Sequence, residues 1–227
     1  MARRRWTVVL AIVATAAAGL GARAQVDVAT VPYEPGDLIF IAGHGAEAAA
    51  LKQLTGSPLT EVGLLRETGG GPYVLFASPE FDTDEVPLDE FLARSTDGQY
   101  ALYRPREGRS RGLNPPTVRV AYDKFYLAPY DPFYREDREA LYGAEMIRTV
   151  FGAAGIPLGE PQPMRLRGSD EPAVRWYFMA DWRARPDCAG LEEETCWQRV
   201  QDLRIVTPAD LAASPALQLV KSTFTER

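Results

Sequence analysis

The stretch that decides the fold of this chain opens with Leu-Ala-Pro-Tyr-Asp at residues 127–131. It resumes at residues 141–147 with Leu-Tyr-Gly-Ala-Glu-Met-Ile. The second segment leads into the strongest predicted helix of the chain, residues 144–154, which Gly155 ends. The fold prediction is built outward from this helix.

Aromatic residues are concentrated just before and at the start of this helix. Core packing is the expected role for most of them, and the remaining rings would line a cleft, where rings give contact area and hydroxyls give orientation. The members of this concentration are Tyr122, Phe125, Tyr126, Tyr130, Phe133, Tyr134 and Tyr142.

Glycine and proline breaks divide the rest of the chain into short predicted elements. The predicted strands are residues 38–41, 61–66, 73–77 and 100–104, and the middle two form a hairpin. Predicted helices cover residues 46–54, residues 88–93 and a segment around Val118 and Ala121, and Thr207 caps a C-terminal helix. Residues 105–116 predict a flexible connection, and Asp82, Asp84 and Glu85 predict a solvated acidic turn.

The N-terminal 24 residues have the pattern of an export signal. Arg3, Arg4 and Arg5 are followed by an uncharged stretch, and Ala22-Arg23-Ala24 supplies a small-x-small cleavage pattern. Cleavage after Ala24 predicts one mature domain, residues 25–227, in the periplasm or outside the cell. The alternative is an uncleaved membrane anchor.

The net charge of the predicted mature chain limits the kinds of molecule it is expected to bind. Removing residues 1–24 removes four arginines and no acid, so the net charge falls from −6 to −10. An acidic surface argues against nucleic acid and against anionic lipid headgroups, although an apolar ligand remains compatible. No second apolar run approaches membrane-spanning length, so we expect no transmembrane segment in the mature chain.

The two cysteines, Cys188 and Cys196, bracket seven residues. An even cysteine count in an exported chain predicts one disulfide closing a short loop. A catalytic thiol has little support, because neither cysteine follows a strand-turn-helix pattern. A zinc site is also a poor fit, since two cysteines and one histidine supply too few ligands. We expect no metal and no cofactor.

The two opening segments resemble the YiiX/YebB-like permuted papain-fold hydrolases, an NlpC-type family of cysteine hydrolases. That family reads Gly-x-Pro-Tyr-Asp and then Tyr-Cys-Ser-Glu-Leu-Val, with Ser-His-Val-Gly upstream. The upstream motif appears here as Thr-Glu-Val-Gly at residues 60–63. The resemblance implies an α+β fold, a circularly permuted papain-like domain whose antiparallel sheet packs against the former nucleophile helix.

The positions that carry the family's chemistry are changed. Gly143 stands where the nucleophilic cysteine would be, and Glu61 stands where the histidine base would be. The acid that orients the histidine has no equivalent, because Phe76 or Ala77 lies nearest its place. Glycine has no side chain to attack a carbonyl. The resemblance therefore predicts the fold of a hydrolase without its thiol chemistry.

The expected function follows from a retained cleft. The resemblance implies a ligand of cell-wall peptide or acyl-lipid type, bound without cleavage. The alternatives are an active hydrolase that uses Glu61 or His44 as a base, or a protein-interaction scaffold whose partner the sequence does not identify. The candidate cleft residues are His44, Glu61, Tyr130, Tyr142, Gly143 and Ala144.

Overall fold

The protein is described by a computed structural model that covers residues 27–106, 115–135 and 140–225. The predicted export signal and most of the predicted flexible connection lie outside the described residues. The strands are β1 Leu38–Ile41, β2 Glu61–Thr68, β3 Gly71–Ser78, β4 Asp82–Pro87, β5 Tyr100–Pro105, β6 Gln162–Pro163, β7 Arg204–Ile205 and β8 Leu217–Ser222. The helices are α1 Gly45–Thr55, α2 Leu88–Ala93, α3 Pro116–Lys124, α4 Gly143–Ala153, α5 Pro172–Phe178, α6 Glu193–Gln201 and α7 Pro208–Ala212.

An antiparallel six-stranded sheet forms the centre of the fold, with strand order β4-β3-β2-β1-β5-β8. Strand β1 lies inside the sheet and pairs with β2 and β5. Its residues are buried on both faces, which explains why it reads as an unbroken apolar run. Leu38 and Phe40 join the larger core on one face, while Ile39 and Ile41 join a second core on the other.

Helix α4 packs against β2 and β3, which confirms the predicted α+β arrangement of an antiparallel sheet packed against this helix. Gly155 has a φ of +82° and follows the C-cap residue Ala154, which confirms the predicted stop. The C-terminal cap is also confirmed. The Thr207 hydroxyl accepts a hydrogen bond from the Asp210 amide, and the Asp210 carboxylate accepts one from the Thr207 amide.

The predicted acidic turn at Asp82, Asp84 and Glu85 is wrong. These residues belong to β4, an edge strand whose inward side chains include the buried Thr83. The Glu85 carboxylate forms an ion pair with Arg66 from β2. Edge strands commonly carry charged residues that discourage pairing with other chains, and this composition imitates a turn.

The predicted disulfide is confirmed. Cys188 and Cys196 are bonded, with their Cα atoms 5.1 Å apart, and both residues are buried. The bond joins a short 3-10 turn, Pro186–Cys188, to helix α6. Within the part of the chain that the structure describes, no helix is long and apolar enough to cross a membrane.

Candidate binding cleft

A cavity of about 220 Å³ opens at the N-terminus of α4. Five of the six residues proposed from sequence line it, namely His44, Glu61, Tyr142, Gly143 and Ala144. The sixth, Tyr130, is not part of the wall. Its hydroxyl donates a 2.7 Å hydrogen bond to Glu47 Oε1, and Glu47 does line the cavity. The structure thus brings all six residues to one place.

Gly143 is the first residue of α4 and lies at the cavity wall. A Cβ atom added there would have one neighbour within 4 Å, the Ala77 carbonyl oxygen at 3.3 Å. The preceding Tyr142 is extended, and its hydroxyl accepts a 3.0 Å hydrogen bond from the Val206 amide. This bond fixes the entry to α4, whose first-turn amides have no partner within the helix.

Glu61 begins β2 and is held by Arg94, which follows α2. The Arg94 Nε lies 3.0 Å from Glu61 Oε2, and its Nη2 lies 3.4 Å from Glu80 Oε2. The absence of a side chain at Gly43 leaves space for the Glu61 carboxylate, because a methyl group added at Gly43 would overlap it. Glu61, which stands where the resemblance places the histidine base, is therefore ion-paired with Arg94.

The three charged groups perturb one another. Burial raises the pKa of Glu61, and the nearby Arg94 guanidinium opposes that rise. Burial would lower the pKa of Arg94, but attraction to Glu61 and Glu80 outweighs it and raises that pKa. Burial also acts to raise the pKa of Glu80, yet its backbone surroundings and the Arg94 guanidinium lower it.

Glu47 is a third carboxylate in the cavity, in the first turn of α1. Its Oε1 accepts hydrogen bonds from the hydroxyls of both Tyr130 and Tyr134. Burial raises the pKa of Glu47, whereas the two tyrosine hydrogen bonds lower it, and the net shift is upward. The same burial, together with the Glu47 charge, holds the pKa of both tyrosines well above the usual range. The hydroxyls are therefore permanent donors at neutral pH.

The cavity wall carries more negative than positive charge. Glu47, Glu61 and Glu80 are its carboxylates, and Arg94 is its only guanidinium among the described residues. His44 is exposed at the N-cap of α1, where its Nδ1 lies 3.3 Å from the Thr96 hydroxyl. A cationic group in this space would relieve the repulsion among the carboxylates.

Sequence reasoning missed Glu47, Glu80, Arg94 and Tyr134 as individual site residues. A glutamate in the first turn of a helix is expected to interact with the helix dipole, so Glu47 gives no sign of a site. Tyr134 falls within the aromatic concentration noted above, which does not say which ring faces the cavity. Phe76 and Ala77, predicted nearest the place of the missing orienting acid, both line the cavity.

The profile of the family described as "Permuted papain-like amidase enzyme, YaeF/YiiX, C92 family" matches residues 32–221. A solved structure described as the metalloprotein yiiX from Escherichia coli O157:H7 is similar in fold, with a TM-score of 0.67 and 21% sequence identity. That match covers 85% of this chain and 98% of the other. None of the curated proteins matches.

The word metalloprotein describes that other protein. In residues 27–106, 115–135 and 140–225 of this chain, no group of three or more histidine, cysteine, aspartate or glutamate side chains is placed to hold a metal ion. Glu61 and Glu80 pair with Arg94 instead, and Glu47 accepts hydrogen bonds from Tyr130 and Tyr134. The residues present do not fit a metal centre, so no step of the account below involves one.

Proposed function

Because the chain belongs to the YaeF/YiiX family of permuted papain-like amidases, we propose that it presents this family's cleft as a binding site without a thiol nucleophile. Gly143 supplies no attacking atom at the start of α4. Glu61, at the base position, is engaged by Arg94. The protein binds an amide- or ester-type ligand and releases it uncleaved.

The observation that carries this proposal is the charge of the cavity. Three glutamates and one arginine line a space of about 220 Å³. Such a wall favours a ligand that carries an ammonium group, because the cation would offset charge that the protein leaves unbalanced. The rings of Tyr134, Tyr142 and Tyr177 would contribute cation–π attraction to the same group.

A second part of the ligand would contact α4. Gly143 and Ala144 line the cavity at the first turn, where amides favour a carbonyl or carboxylate oxygen. The cavity is smaller than the roughly 300–1,000 Å³ of small-molecule sites, so it would take one end of a longer ligand. A short cell-wall-type peptide with a free amine meets both requirements. An acyl lipid meets only the second.

Calorimetric titration with three probes tests this choice. The probes are the tripeptide Ala-γ-Glu-Lys, its fully N-acetylated form, and vesicles of an anionic phospholipid. We expect the free amine to bind and acetylation to weaken binding by roughly ten- to a hundredfold, the value of one charged hydrogen bond. Equal binding of both peptides, or binding of the vesicles alone, would contradict the proposal.

Matched variants locate the site. Glu47→Gln and Glu61→Gln each remove one carboxylate from the cavity and are expected to weaken binding of the tripeptide. Glu192→Gln is the control, because Glu192 is exposed at the N-cap of α6 and lines no part of the cavity. Tripeptide binding that is unaffected by the two cavity variants would place it elsewhere.

We also propose that the mature protein is exported. The basic start, the uncharged stretch and the cleavage pattern of residues 1–24 support this, and the Cys188–Cys196 bond suits an oxidising compartment. N-terminal sequencing of protein from the periplasm or the medium is expected to begin at Gln25. Protein that begins at Met1 would indicate a retained anchor.

A further inference from the structure

Tyr134 has an unusual backbone conformation for a buried aromatic residue. Its φ is +58°, in the left-handed region that bulky residues rarely adopt. The residue is 2% exposed, and its ring stacks on Tyr142 with centroids 4.2 Å apart. A strained conformation of this kind persists only where surrounding contacts impose it.

The turn before Tyr134 supplies one of these contacts. The Asp131 carboxylate accepts hydrogen bonds from the amides of Phe133 and Arg135. These two amides flank Tyr134 along the chain. The Pro-Tyr-Asp motif therefore builds the loop that places two tyrosine hydroxyls, those of Tyr130 and Tyr134, on Glu47.

Arg185 supplies the other contact. Its side chain is 1% exposed, and its Nη2 donates a 2.8 Å hydrogen bond to the carbonyl oxygen of Phe133. A longer bond of 3.4 Å runs from Nη1 to the Phe178 carbonyl. The guanidinium also lies over the Phe133 ring, 5.2 Å from its centroid. The residue that precedes Tyr134 is thus held by a buried cation.

The contacts of Arg185 are not those expected of a residue that only stabilises the fold. Its ion pair with Asp187 is 3.3 Å long. Among the described residues, neither Arg185 Nε nor Asp187 Oδ1 has a hydrogen-bond partner. Apolar replacements of incompletely satisfied buried ion pairs are often neutral or stabilising. Its best contact, the Phe133 carbonyl, points to another role.

The disulfide fixes the segment that carries Arg185. The Cys188 amide donates a 3.1 Å hydrogen bond to the Arg185 carbonyl. The bond to Cys196 ties this turn to α6. A covalent link, a buried guanidinium and a backbone carbonyl therefore connect α6 to the tyrosine wall of the cavity.

We propose that Arg185 is a positioning residue of the cleft: anchored by the Cys188–Cys196 loop, it holds the Phe133 carbonyl and so places the Tyr134 hydroxyl on Glu47. This inference rests on the proposed function only in what it says about the ligand that contacts Glu47. The ligand is expected to contact Glu47 and the tyrosine wall, whereas Arg185 acts from behind that wall.

The ionisation of Glu47 reports this placement without any ligand. Hydrogen bonds from Tyr130 and Tyr134 lower the pKa of Glu47, while burial and the charges of Glu61 and Glu80 raise it. Losing the Tyr134 bond should therefore raise the pKa of Glu47 further. NMR titration of the glutamate side-chain carboxyl carbons measures it, with Glu47→Gln as the assignment reference.

A double-mutant cycle tests the proposal. We expect Arg185→Met and Tyr134→Phe each to raise the pKa of Glu47, and the double variant to match Tyr134→Phe alone. Arg106→Met is the control, because Arg106 also donates to backbone carbonyls, those of Pro215 and Leu217, beside β8. It should leave the pKa of Glu47 unchanged.

A pKa of Glu47 that stays at the wild-type value in folded Arg185→Met protein would overturn the proposal, as would additive effects in the double variant. If Arg185→Met does not fold, the same titration is run on wild-type protein whose disulfide has been reduced. There, too, the pKa of Glu47 should rise, and an unchanged value would overturn the proposal. Because no ligand is present, these results stand even if the tripeptide does not bind.

Discussion

Acids lie at both ends of strand β1, Asp37 directly before it and Glu61 on β2 opposite Ile41, and their surroundings differ. At the first end, Asp37 is paired with Arg104 of β5 through two hydrogen bonds of 2.8 and 2.7 Å. At the other end, Glu61 shares Arg94 with Glu80, and the cavity holds Glu47 as well. Arg104 also pairs with the exposed Glu34, so each end has one arginine bonded to two acids, and only the cavity end adds a third carboxylate, Glu47.

This difference separates a structural ion pair from the proposed binding site. The Asp37 side chain is 2% exposed and lines no part of the cavity described above. The Glu61 side chain is 21% exposed and faces a cavity. Unbalanced charge costs stability and gives a ligand something to neutralise.

The largest effect on stability is expected at Asp37. Arg104→Met would leave Asp37 buried without its cation, at a cost of about 3–5 kcal/mol in the free energy of unfolding. Urea unfolding followed by tryptophan fluorescence measures the loss. Adding Asp37→Asn to this variant should restore part of the stability. A loss under about 1 kcal/mol would mean that this pair is no more structural than a surface ion pair.

A smaller effect of opposite sign is expected at the cavity. Glu47→Gln removes a desolvated charge and keeps an acceptor for the tyrosine hydroxyls. We expect it to stabilise the protein at neutral pH by roughly 0.5–2 kcal/mol, typical of substitutions that relieve a functional compromise. Urea unfolding at neutral pH measures the gain. Destabilisation instead would show that the chain already balances the cavity charge.

The pH dependence of the unfolding free energy tests independently whether the Glu47 charge destabilises the protein. Burial raises the pKa of Glu47 above its usual range in the folded protein. Between the usual and the raised pKa, the folded state binds more protons than the unfolded state, so stability falls as pH rises through that window. Glu47→Gln should make this fall shallower, measured as unfolding free energy against pH from about pH 4 upward. An unchanged slope would contradict the assignment.

The smallest effect on stability is expected at Gly43. Gly43→Ala would push the Glu61 carboxylate away from Arg94, a partly exposed pair worth about 1 kcal/mol or less. Affinity for the tripeptide should nevertheless fall roughly tenfold, since the displaced carboxylate is part of the cavity wall. Gly152→Ala in α4 is the control, because a methyl group there meets no atom within 4 Å. Unchanged affinity would exclude Glu61 from the binding wall.

The sequence predicted the centre of the fold well, because its signals are local. Strand β1 and helix α2 have their predicted bounds, and α4 begins and ends within one residue of the prediction. Edge strands were predicted less well. Charged β4 was interpreted as a turn, and β8 was not predicted, since its Leu219 is exposed and its outer edge is unpaired within the described part of the sheet.

Site residues were predicted only at positions that match the family's motifs. Glu61 and Gly143 do line one cavity. Glu47 and Arg94 reach it through tertiary packing of α1 and of the end of α2, which no spacing rule reveals. Arg185 lies more than fifty residues from Phe133, so its contact with that carbonyl has no local signal.

The comparison between the two ends of β1 depends on one claim, that the cavity binds without cleaving. Wild-type protein incubated with acyl-ester and peptide-amide substrates, with products followed by mass spectrometry, tests it most directly. We expect substrates to be recovered intact, with no turnover that iodoacetamide abolishes, because Gly143 offers no thiol. Turnover that iodoacetamide abolishes would contradict the account, since only Cys188 and Cys196 could supply it and both would then have to be free.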